Sequence, residues 1–178
     1  MGKNTQRQKT IHGGSKYLRE FSSGGVVFKK AGNGVLWLVA ASVPSQLFPK
    51  ISWRFPKGWI DDESEGVPGP MASGAVKADE DSLQKAATRE VEEEGGVKAR
   101  ILQKIGTEKY SYTHPARGKI LKFVTFYLME YVKDMPEGHD FETSEVVWLP
   151  FSEALKKLTS SGEKEMLKKA NDLLAPVA

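Results

Sequence analysis

Four carboxylates crowd one short stretch of the chain. Glu90, Glu92, Glu93 and Glu94 lie in the run QKAATREVEEEGGV, which halts at Gly95-Gly96. Like charges three or four residues apart on a helix repel by roughly 0.2–0.5 kcal/mol per pair. Carboxylates near a helix C-terminus also oppose its macrodipole. On a helical wheel, Leu83, Ala86, Ala87 and Val91 form an apolar stripe with Glu90 at its centre. Glu93 and Glu94 fall within about 60° of Glu90 on either side, and only Glu92 points clearly away. The plain alternative, a solvated charged face, does not explain that placement. Carboxylates aimed at the protein body without partners are prohibitively costly. A divalent cation removes the cost, and ligands that are all oxygen favour Mg²⁺ or Mn²⁺ over zinc.

The surrounding pattern supplies elements to hold such a cluster. The stretches FSSGGVVFKK and GVLWLVAAS read as strands, with Asn33-Gly34 predicted to turn the chain between them. The segment WRFPKGW is irregular, and residues 62–78 are rich in Gly, Pro and acids without periodicity, so a loop is expected there. Ser82–Glu94 reads as a helix with a glycine stop. RILQKIGTEKYSYT and GKILKFVTFYLMEYV read as two long strands around the turn HPARG, and SEVVWLP as another strand. Ser152–Leu158 and Glu163–Leu174 read as terminal helices, with Ser160 and Glu163 spaced as a capping box. Strands with a few interspersed helices predict an α+β layered domain on a mixed sheet.

The 178 residues suffice for one domain with a real core. No apolar run approaches the ~20 residues that span a bilayer, and the basic N-terminal stretch lacks the apolar region of a secretory signal. The absence of cysteine excludes disulfides, a thiolate metal site and a cysteine nucleophile. A cytoplasmic enzyme or binding domain, monomeric or homodimeric and without a membrane partner, is the expectation. Residues 1–20 hold five Lys or Arg against one Glu, whereas the remaining 158 residues carry 21 against 22. Residues 1–18 are therefore expected to form a basic tail ahead of a domain at 19–178. Such a tail contacts RNA or, more commonly, stays solvated.

Arg89 through Val97 resembles the second half of the Nudix box, G-x5-E-x7-R-E-U-x-E-E-x-G-U with U apolar. FPKGW resembles its Pro-Lys-Gly opening, with Gly58 as the box glycine. Two departures stand out. Asp81 takes the place of the first box acid, and 22 residues instead of five separate it from Gly58. Outside the box, REFSSGGVVFKK, YSYTHPARGKILKFVTFYLMEY and VVWLPFSEALKKL resemble the bacterial-type diadenosine tetraphosphate hydrolases of the Nudix superfamily. The resemblance implies an α/β/α sandwich around a mixed sheet and hydrolysis of a nucleoside oligophosphate, foremost diadenosine tetraphosphate to ATP and AMP. Nucleoside triphosphates, ADP-ribose, capped RNA and inositol pyrophosphates are the alternative substrates. A Nudix-fold nucleotide-binding module with weak or no turnover is the alternative of another class.

The same resemblance assigns roles. Glu90, Glu93 and Glu94 would bind Mg²⁺ (or Mn²⁺), with the Gly58 carbonyl completing the shell. Glu93 or Glu94 would orient or deprotonate the attacking water, and Glu142 is a second candidate base. Arg89 would clamp a box carboxylate, or else be an exposed partner of Glu93. Arg54, Lys57 and Lys122 are candidates to meet phosphates; Trp59, Tyr110 and Tyr112 are candidates to stack on a base, worth about 1–3 kcal/mol each. The 62–78 insertion is either a lid or an inert surface excursion.

Overall fold

The structure, a computed structural model, describes residues 16–176. The proposed basic tail falls mostly outside that range, and the first strand, β1 (Leu18–Ala31), begins where it would end. β2 (Gly34–Ser42), β3 (Trp53–Arg54), β4 (Lys57–Trp59), β7 (Val97–His114), β8 (Gly118–Asp134) and β9 (Thr143–Pro150) complete one seven-stranded mixed sheet with the path β3-β2-β1-β8-β7. β4 pairs with β1 and β9 with β2. At its centre β1 and β8 run parallel from Leu18↔Ile120 to Phe28↔Glu130, while the other pairings are antiparallel.

Successive strand residues alternate between faces, and here both faces are covered. Val26, Phe28, Trp37, Val39, Val124, Phe126 and Leu128 pack beneath α2 (Phe151–Lys157) and α3 (Ser161–Leu174). Val27, Leu38, Tyr127 and Met129 pack beneath α1 (Glu80–Glu93). Two-sided burial explains why the central strands read as continuous apolar runs. The result is the expected three-layer α+β sandwich. α1 can lie close to β1 only because Gly25 faces it: a Cβ there would be 2.5 Å from Val91 Cγ2. The helix starts at Asp79, whose carboxylate accepts from the Ser82 backbone N at 2.8 Å. It stops before Gly96, where φ is +66°.

Three local expectations change. The β1–β2 turn is centred on Gly32-Asn33, one residue earlier than the Asn-Gly pair suggested, because Gly32 takes the positive φ of 58°. The 62–78 segment contains a hairpin, β5 (Asp62–Ser64) with β6 (Val67–Pro68), too short to show alternation in sequence. Its following turn is fastened to the domain. The Asp61 carboxylate accepts from the Met71 and Ala72 backbone N atoms at 3.1 and 2.7 Å, and Phe21 N donates to Ala72 O at 2.8 Å. The capping box of α3 is only half formed. Ser160 Oγ accepts from Glu163 N at 3.4 Å, but the Glu163 carboxylate goes elsewhere.

Candidate active site

The segment Arg54–Gly58 lies against the last turns of α1. β4 pairs Gly58 with Ser23 of β1, and a Cβ on Gly58 would fall 2.3 Å from Glu90 Cδ. Only a residue without a side chain lets the β4 backbone meet that carboxylate. Glu90 and Glu94 are both buried. Glu94 Oε1 accepts from Arg54 Nη2 at 2.5 Å and its Oε2 from Lys57 N at 3.0 Å. Arg89 donates from Nη2 to Trp59 O at 2.6 Å and to Glu90 Oε1 at 3.1 Å, so it stitches α1 to the end of β4. Asp81 instead stays at the exposed start of the helix, paired with Lys85 at 2.7 Å.

The wheel placed Glu93 inward and Glu92 outward, but Glu93 is exposed and Glu92 half-buried. Periodicity gives the direction of a face, not what covers it. The cover at this end is the loop after β8, fixed by Met135 N to Gly96 O at 2.9 Å and Asp140 N to Glu93 O at 2.8 Å. The same loop carries Glu142, exposed and held by Val43 N to Glu142 O at 3.0 Å.

The acids repel one another. Burial pushes the Glu90 carboxyl up to about 7, against the pull of Arg89, with Glu93 and Glu142 adding to the rise. Burial also takes Glu94 up to about 7, opposed by Arg54 and the Lys57 N–H and reinforced by Glu90 and Glu142. Glu93 is raised by partial burial and by Asp140, Glu142 and Asp62, with Arg89 opposing. Among the described residues no three acidic or histidine side chains converge as a ready ligand set; Arg54 and Arg89 hold two of the carboxylates. The donor chemistry nevertheless fits a hard cation: oxygens alone, mutually repelling, beside a bare glycine backbone.

Beside the acids lies a row of cations and rings. Glu20, Lys122 and Tyr110 are cross-strand neighbours on β1, β8 and β7. Burial lowers the Lys122 ammonium to about 8; Glu20 resists the shift, and the like charges of Lys57 and Arg54 deepen it. Lys57, a candidate to meet phosphate, has its Nζ ion-paired with Glu163 and 5.4 Å from the Tyr110 ring centre. Burial works against the Lys57 charge, but Glu163, Tyr110 and Glu108 together outweigh it and hold the ammonium above the usual lysine range. Tyr110 packs on the core cluster under α3. Tyr112 donates its OH to Glu20 Oε2 at 2.7 Å and lies 5.9 Å from the ring of Phe48, which is 54% exposed. Trp59 is half-buried, with the Arg117 guanidinium 6.0 Å from its ring.

Four residues were not assigned to the site from sequence. Glu20, fully buried, receives Tyr112, Arg117 and, at 3.8 Å, Lys122. Burial would raise its carboxyl, but these donors and Trp59 together keep it below the usual range. Arg117, Glu163 and Glu108 are the others. A signal existed for Glu20: it shares strand parity with the buried Val26 and Phe28, so it had to face the same packed side.

The family model described as NUDIX domain matches residues 19–170. The provisionally named mutator protein MutT4 of Mycobacterium tuberculosis is 26% identical over 125 residues, covering 70% of this chain and 43% of that protein. This chain thus corresponds to less than half the length of that relative. The crystal structure of a C. elegans Ap4A hydrolase binary complex superimposes with a TM-score of 0.57 at 17% identity, covering 89% of this chain and 99% of the other. A NUDIX hydrolase from Nitrosomonas europaea gives 0.59 at 16% identity over 89% and 97% of the two chains. At such identities these structures attest the fold.

Proposed function

The chain belongs to the NUDIX domain family, and from that premise we propose that it is a divalent-metal-dependent pyrophosphohydrolase of nucleoside oligophosphates. The observation that carries the reading is the juxtaposition of two like-charged groups. Buried Glu90 and Glu94, with Glu93 and Glu142 at the rim, repel one another. Next to them Lys122, Lys57 and Arg54 crowd positive charge around a buried ammonium. The first group calls for a cation and the second for an anion, as a site for a metal-bound polyphosphate requires.

Glu90, Glu93 and Glu94 would hold Mg²⁺ or Mn²⁺ beside Gly58. The ion would acidify its bound water and neutralise phosphate charge. Arg89 locks the Glu90 carboxylate against Trp59 O. Lys122 and Arg54 would orient the phosphate chain, which supplies much of the catalytic benefit in phosphoryl transfer. Glu93 or the exposed Glu142 would accept the proton of the attacking water. Tyr112 and Trp59 would stack on the base.

Diadenosine tetraphosphate is the leading substrate, on the strength of the motifs around the box and the fold shared with the C. elegans Ap4A hydrolase. Nucleoside triphosphates are the second reading, favoured by the mutator name of the Mycobacterium tuberculosis relative. A metal-dependent hydrolysis panel of dinucleoside polyphosphates, nucleoside triphosphates and ADP-ribose distinguishes them. In that panel Glu93→Gln is expected to lose at least ~10²-fold in rate. Unchanged turnover would remove Glu93 from the mechanism, and nucleotide binding without products would leave a binding module.

A further inference from the structure

Glu163 sits at the first turn of α3, on the face of the sheet opposite α1. Its position predicts a bond back to its own helix start, yet its carboxylate leaves the helix. One oxygen accepts from Phe55 N at 2.7 Å and the other pairs with Lys57 Nζ. The link before α3 grips the same segment once more: Trp53 N donates to Thr159 Oγ1 at 2.9 Å, and Thr159 N to Trp53 O at 3.0 Å. Trp53, Phe55 and Lys57 alternate along the chain, so α3 and its link hold every second residue of an extended strip. The residues of that strip also serve α1, through Arg54 Nη2 and Lys57 N to Glu94 and through Gly58 behind Glu90.

We propose that Glu163 is a positioning residue of the hydrolytic centre, fixing Arg54–Gly58 so that Glu94 and Glu90 present their oxygens to the metal. The inference rests on the reading of those two acids as metal ligands. Stability alone does not account for Glu163, because a buried ion pair is commonly no better than apolar groups of the same volume. Its surroundings are also over-supplied with negative charge. Glu108 is buried beside the pair, with Ser160 Oγ donating to Oε1 at 2.9 Å and Oε2 without a partner among the described residues. With its ammonium paired to Glu163 and the Glu108 charge acting on it as well, Lys57, and the strip it belongs to, is held in one place.

The test measures Mn²⁺ affinity by the EPR signal of free Mn²⁺, together with kcat, KM and melting temperature, on the full chain. Glu163→Gln is expected to weaken Mn²⁺ binding and lower kcat about tenfold each, with KM within about threefold, as for residues that orient metal ligands. Glu163→Asp, which keeps the charge but loses reach, is expected to give a smaller loss of both. A fall in melting temperature with Mn²⁺ affinity and kcat at wild-type values would overturn the proposal. Should the Gln protein fail to fold, wild-type Mn²⁺ affinity in Glu163→Asp would do so alone. Glu90→Gln separates the two levels of argument. If it binds Mn²⁺ like the wild type, the metal site itself is misplaced and the inference goes with it. If it loses Mn²⁺ while Glu163→Gln does not, the positioning role alone fails.

Discussion

A single methyl group at residue 58 offers the most direct trial of the site geometry. The Cβ of Gly58→Ala would meet Glu90 Cδ and Oε1 at 2.3 Å, whereas ordinary contact begins at 3.4 Å, so the carboxylate or β4 must yield by about 1.1 Å. Neither moves freely. Glu90 is held by Arg89, which is itself bonded to Trp59 O, and β4 is paired to β1. Overpacking of this kind costs about 1–3 kcal/mol, which for a chain of this size lowers the melting temperature by roughly 2–12 °C. A displacement near 1 Å at a reacting centre costs on the order of 10²-fold in rate. Steady-state hydrolysis and thermal melts measure both quantities. A double-mutant cycle then identifies the atoms responsible. In a Glu90→Ala background the added methyl finds the space left by the carboxylate, and its destabilisation should largely disappear. If Gly58→Ala melts and turns over like the wild type, or destabilises equally with and without the Glu90 carboxylate, the close approach of β4 to α1 is wrong.

Lys122 predicts a pH dependence of substrate affinity: KM should rise as pH passes about 8, where the buried ammonium loses its proton. Its folded pKa lies below the unfolded value of 10.5, so the penalty for burying its charge is present below pH 8 and relieved between about 8 and 10.5. The melting temperature of the wild type relative to Lys122→Met should accordingly rise across that window, and the KM inflection should vanish in the variant; a flat difference curve with a persistent inflection would clear Lys122 of both effects. Asp81, exposed and among the described residues paired only with Lys85, is expected to be dispensable: Asp81→Ala should keep kcat and Mn²⁺ affinity within about twofold and stability within ~0.5 kcal/mol, and a tenfold loss in either functional quantity would restore it to the proposed metal site.

The layers followed from patterns that burial leaves in sequence: strands apolar on both faces, a helix with one apolar stripe, glycines at the ends; the strand order came only with the structure. The burial of Glu90 and Glu94 was legible for the same reason, since both continue the apolar stripe of the helix. What escaped was set by contacts distant in sequence. Lys57 read as a cation for phosphate, and nothing near it in sequence signals its pairing with Glu163, 106 residues away. Glu93 is exposed and Glu92 half-buried, against the wheel, and the loop after β8 that bonds to the Glu93 and Gly96 backbone lies outside any helical wheel. The 62–78 hairpin has strands of three and two residues, below the length at which alternation carries information.

The long spacing between Gly58 and the helix shows which restraints define the centre. Lengthening that connection from five to 22 residues changes the closure entropy by only about 1.3 kcal/mol. The extra chain spends part of its freedom on Asp61 and on the buried Ala72. Meanwhile the bonds that bring Gly58 to Glu90 do not run through the insertion. Arg89 reaches Trp59 and Ile60 directly, Lys57 N and Arg54 reach Glu94, and the β1–β4 ladder fixes Gly58 from behind. The inserted residues can therefore vary in length and shape while the acids and the glycine stay in register. The site depends on cross-connections between β4 and α1 and, on the proposal made for Glu163, between β4 and α3, rather than on the number of residues that separate them.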